Sequence, residues 1–166
     1  TFDNNYGLPL ATLQVEEGCT VRNNKNSNMR IGSVTGGGTL GGSHGWTVGN
    51  DSGQLNSFSG TITGSLTKVG NNSLRLSGEN IFEGNTDIKN GSLVIGNIAK
   101  KTSATGCGTL TIHNQGILTG AGYIENKKVI IASGGILRPG MNYLNSLRIK
   151  SDIEQQQGGV IEWQLN

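Results

Sequence analysis

Residues 64–96, GSLTKVGNNSLRLSGENIFEGNTDIKNGSLVIG, decide the fold. Leu74 and Leu76 alternate with Ser73, Arg75 and Ser77; Ile88 stands between Asp87 and Lys89; Leu93 and Ile95 repeat the pattern after Asn90-Gly91. Alternation of period two puts one set of side chains on one face of an extended strand. Gly70-Asn71-Asn72, Gly78, Gly84-Asn85 and Asn90-Gly91 supply residues that tolerate positive φ. Each of these strands is too short to make a stable sheet alone, so each needs a similar neighbour to stack on.

The chain supplies such neighbours. A glycine, a second residue and an aliphatic recur at Gly38-Thr39-Leu40, Gly60-Thr61-Ile62, Gly91-Ser92-Leu93, Gly108-Thr109-Leu110 and Gly135-Ile136-Leu137. Self-similarity at about 20 residues means stacked units, none of which buries its apolar face alone. No segment carries a sustained helical stripe. Three short strands and three turns per coil describe an all-β chain folded as a single-stranded right-handed parallel β-helix, a β-solenoid, with aliphatic ladders inside and Asn stacked at bends. A β-sandwich is the rival, but it needs fewer, longer strands joined by hairpins. The whole of 1–166 reads as one β-helix domain, expected to be a piece of a longer surface protein. Residues 1–30 form an irregular N-terminal or capping coil and 31–166 the repeat coils.

Composition agrees with many thin layers. Apolar residues are 33% of the 166, and 28 Gly bring that near half. Only 14% are charged and the net charge is +2, which is no footprint for nucleic acid. No apolar run approaches the roughly 18 residues of a membrane helix, so this segment is not expected to insert in a membrane. The chain starts at Thr1 with no initiator Met or signal peptide, which reads as a mature or excised piece. The glycine-rich run from Gly32 to Gly45 lacks the Gly-Lys-Ser/Thr ending of a P-loop. Cys19 and Cys107 fall several coils apart, far beyond the roughly 7 Å that a disulfide allows between Cα atoms, so two packed thiols are expected.

Phe58 to Gly70, FSGTITGSLTKVG, resembles the FSGTIxGxGxLTKxG stretch of the autotransporter-associated β-strand repeat. Ser73 to Ile88 is similar to its continuation, LxLxGxNxFxGxTxI, and Asn90-Gly91-Ser92-Leu93 to the closing xGxL. Gly116 to Gly122 and Gly135 to Gly140 resemble elements found late in such passenger domains, with Arg138 where a small residue is common. The resemblance implies a β-helix on a bacterial surface or in the medium, extracellular and outer-membrane associated. It implies an adhesin or a stalk, with a host or bacterial surface glycan or protein as partner and no cofactor.

Candidate chemistry is sparse. His44 and His113 are the only histidines, and neither has a metal-ligand spacing. Glu79, Glu83 and Asp87, spaced by four, scatter on strands and turns. Asp152 and Glu154 alternate with Ile153, with Arg148 and Lys150 nearby, and form the best enzymatic constellation. Possible glycan contacts are Trp46, Tyr123 and Tyr143, through stacking on their rings. Trp163, in phase with Ile161 and Leu165, is expected to plug the helix end. Two functions follow. One is a non-catalytic adhesive or structural module with a smooth surface. The other is a carbohydrate-binding or polysaccharide-degrading β-helix with an outer groove.

Overall fold

The computed structural model describes residues 7–80, 82–99, 101–140 and 146–163. Among them there are strands and turns and no helix, so none could cross a membrane as one. The strands fall into successive coils. The first holds β1 (Leu8–Val15) and β2 (Thr20–Asn23), and the second β3 (Met29–Gly36) and β4 (Thr39–Gly42). The third holds β5 (Trp46–Val48), β6 (Leu55–Phe58) and β7 (Thr61–Ile62), and the fourth β8 (Leu66–Lys68) and β9 (Ser73–Leu76). Then come β10 (Thr86–Ile88) and β11 (Gly91–Ile95), followed by β12 (Thr109–Ile112), β13 (Gly116–Gly120) and β14 (Gly122–Ile124). The last are β15 (Lys128–Ile131), β16 (Ile136–Pro139) and β17 (Leu147–Ile149), with β18 (Asp152–Gln155) and β19 (Val160–Ile161) starting a further coil.

Every pairing between these strands is parallel, each with its counterpart one coil away. The result is a β-solenoid of about seven turns. β3 is long enough to serve two faces: β5 pairs with its start, and β6 meets its last residue. At about 4.8 Å per coil the stack is roughly 34 Å long. Hydrogen bonds between coils join residues 16 to 26 apart, so turn lengths absorb the variation in the repeat.

Inside, like meets like. Leu74, Leu93, Leu118, Leu137 and Ile161 stand in register on successive strands. Ile31, Val48, Lys68, Ile88, Ile112 and Ile131 form a second column. Trp46, Leu66, Thr86, Leu110, Val129 and Ile153 form a third. The columns are buried until the last coil, where Ile153 is 46% exposed. At the other end Pro9 and a register shift between Leu8 and Thr12 interrupt the edge of β1, as edge strands commonly do. Within 1–30, the stretch read from sequence as an irregular or capping coil, β1 and β2 pair onto the second coil.

Asparagines complete the stack where strands stop. Asn80 accepts from the Ile62 amide at 2.7 Å and donates to the Ala104 carbonyl at 2.9 Å, bridging coils on the third face. Asn97 accepts from the Tyr123 amide at 2.9 Å, and Asn126 donates to Thr105 and Gly108 carbonyls. These amides are buried, and each stands in for a backbone partner that the bend removes. Glycine is required where coils touch: a Cβ on Gly84 would sit 2.0 Å from the Gly64 carbonyl oxygen.

Candidate functional site

The residues singled out from sequence do not converge. Trp46 has the parity of Val48, so its ring points inward between Met29 and Leu66 and is 0% exposed. It cannot stack on a sugar; its glycine neighbours mark tight coil contacts rather than an open surface. Tyr123 is half-buried on β14, and its ring is already faced by the Arg148 guanidinium at 5.7 Å and the Lys150 ammonium at 5.9 Å. Tyr143 lies outside the described residues, as does Leu165. Trp163 is 71% exposed and does not plug the end of the stack.

The carboxylates disperse as well. Glu154 on β18 is paired with Lys128 on the coil below, and Gln156 donates to it at 3.3 Å. The Lys128 hydrogen bond, then the Gln156 amide and the ammonium charge, hold its carboxyl below the usual range. Arg148 is on β17, in a different sheet, so Asp152, Glu154 and Arg148 do not form one cleft. Lys150 pairs with Glu125 at 2.6 Å and Arg138 with Glu162 at 2.6 Å. Glu79 accepts from the Thr102 hydroxyl at 2.8 Å. Asp87 meets His113 Nε2 at 2.8 Å across one coil, and His44 meets the Ser43 hydroxyl at 3.0 Å. Neither cysteine is in a disulfide, and both are exposed rather than packed. Among the described residues no three His, Cys, Asp or Glu come together as a metal-binding group.

Two features escaped the sequence reading. The first is a shallow groove on the third face, made of two adjoining cavities of about 570 and 540 Å³ that share Gly42, Ser43 and Thr63. Glycines floor it because coil contacts forbid side chains there: a Cβ on Gly42 would lie 2.1 Å from the Asn23 carbonyl oxygen. Arg22 stands on the wall of one half, and His44 and Glu83 on the other. No protein-family model, curated protein or solved structure matches the chain.

The second feature is Lys68. It occupies a place in the aliphatic column between Val48 and Ile88 and is 0% exposed. Its ammonium donates to the carbonyls of Val69 at 2.7 Å, Gly70 at 2.9 Å and Asn90 at 3.2 Å, and to Asn72 Oδ1 at 3.0 Å. Burial pulls its pKa down to about 8, against the opposing charge of Asp51. The inward direction was legible, since Lys68 shares parity with Leu66. The four acceptors were not, because they come from two turns one coil apart.

Proposed function

We propose that this chain is a non-catalytic β-helical module of a secreted or cell-surface bacterial protein, serving as adhesin or structural stalk. The observation that supports it most is the unbroken register of inward columns along the stack, a rod about 34 Å long that holds its two ends apart. The resemblance of Phe58 to Gly70 to the autotransporter-associated repeat points the same way. The test is protease shaving of intact cells that express the parent protein, with an antibody raised to this chain. Loss of the epitope from intact cells supports the reading; protection until lysis rejects it. Beads coated with the chain then separate the two roles: retention on host cells marks an adhesin, and surface exposure without retention marks a stalk.

A second reading, an outer groove that binds glycan, is favoured by the groove on the third face. Its walls carry the hydroxyls of Thr20, Thr39, Ser43 and Thr63, and its floor is backbone. Such a surface offers hydrogen bonds with only the largely buried Phe82 as a large apolar group, which suits a sugar better than a peptide. Ser43 is exposed and shared by both cavities, so Ser43→Trp fills the groove without touching the core. A glycan array that retains a ligand for the unaltered chain and for Ser57→Trp, exposed on β6, but not for Ser43→Trp, supports it. An array without ligands sinks it.

A further inference from the structure

The Lys68 site holds more than a buried cation. Asn72 is itself fully buried, and its carbonyl oxygen is 3.0 Å from the lysine nitrogen. With an amide C=O near 1.23 Å, Nζ lies within about 4 Å of Cγ. The same oxygen accepts from the backbone amide of Asn50 at 3.2 Å, a donor placed to hold negative charge there. Asn72 Nδ2 is buried and has no hydrogen-bond partner, so nothing holds it in place as a leaving group. Nucleophile, carbonyl carbon, oxyanion donor and an unpartnered amide nitrogen thus meet in one buried corner.

We propose that Lys68 and Asn72 join in an intramolecular isopeptide bond. The neutral amine of Lys68 attacks Cγ of Asn72, and the electron pair of the C=O moves onto Oδ1 beside the Asn50 amide. Nζ gives up a proton and Nδ2 takes one. The Cγ–Nδ2 bond then breaks, the carbonyl re-forms, and one ammonia leaves. Atoms and charge balance without oxidant, reductant or cofactor. Burial raises the fraction of neutral amine, since it lowers the pKa of Lys68 to about 8; the ammonium, held by its carbonyl acceptors, prevails below that pH and the nucleophile above it. Asp51 is the charged group that acts on Lys68 in the opposite sense. The bond would close the turn between β8 and β9 covalently, at a corner where Asn72 also touches the neighbouring coil. That suits a rod under load but does not depend on any assignment of function.

The test is intact-mass analysis of the purified chain, fresh and after incubation at about pH 6 and about pH 9, with tryptic mapping. The cross-linked chain is lighter by one ammonia and resists trypsin after Lys68, giving one looped peptide over residues 31–75. The rate should climb about tenfold per pH unit and level off above the pKa of about 8, as the neutral amine fills. Lys68→Met, which suits the column between Val48 and Ile88, keeps its full mass. Full mass with cleavage after Lys68 in the aged sample overturns the proposal. So does ammonia loss that persists in Lys68→Met, or that leaves Lys68 cleavable, since a succinimide at an Asn accounts for both. Should Lys68→Met fail to fold, the trypsin-resistant loop in the unaltered chain decides alone.

Discussion

Two residues of neighbouring columns show how parity overrides type. Trp46 looks like a surface aromatic among glycines, yet it points inward and fills the space between Met29 and Leu66. Trp46→Ala should destabilise the fold by about 3–5 kcal/mol, while Tyr123→Ala, on a half-exposed ring, should change it by about 1 kcal/mol or less. Urea midpoints of the two variants check this, and equal shifts would contradict the assignment. Lys68 is the converse case, a charge where an aliphatic belongs. Lys68→Met removes its ammonium but orphans the carbonyls of Val69, Gly70 and Asn90, so we expect a loss of about 1–3 kcal/mol despite the gain in apolar contact. A variant more stable than the parent would mean those carbonyls find other partners.

Elements here are too short to be stable singly, and their contacts run to the coil above and the coil below. Asn80 is the clearest joint, because no strand spans it and its side chain bonds both neighbours. Asn80→Ala should cost about 1–3 kcal/mol, and Asn80→Asp more at neutral pH, since a carboxylate cannot donate to the Ala104 carbonyl. Chemical denaturation of both variants at pH 7 reads the order. At the last coil Glu154 joins β18 to β15 through Lys128. Its folded pKa lies below the unfolded value, so its contribution is present above the ordinary carboxylate pKa and fades as pH falls through the folded one. The pair is solvent-exposed, so Glu154→Gln should flatten the acid limb only slightly, a difference measured between the two denaturation profiles.

For the whole molecule, a stack with neighbour-only contacts opens from its ends. Hydrogen exchange should be slowest in β8 to β11, where columns are covered on both sides, and fastest in β1, β18 and β19. Uniform protection would show that the rod opens as one unit. The exposed Ile153, Val160 and Trp163 at the last coil mark where that opening begins.

Alternation in 64–96 and its recurrence were enough to determine the coil, its inward parity and the class of fold, because period two and turn chemistry are local properties of the chain. Even the inward direction of Lys68 was present in Leu66-Thr67-Lys68. Which residues meet across coils was decided only in three dimensions. Asp87 with His113, Lys68 with Asn90, and the ring of Tyr123 beneath Arg148 and Lys150 are joined over 22 to 27 residues, and the turns between them differ in length. A change of one residue in a turn shifts every lateral neighbour while leaving the alternation intact, so the groove and the lysine corner follow from stacking and not from pattern.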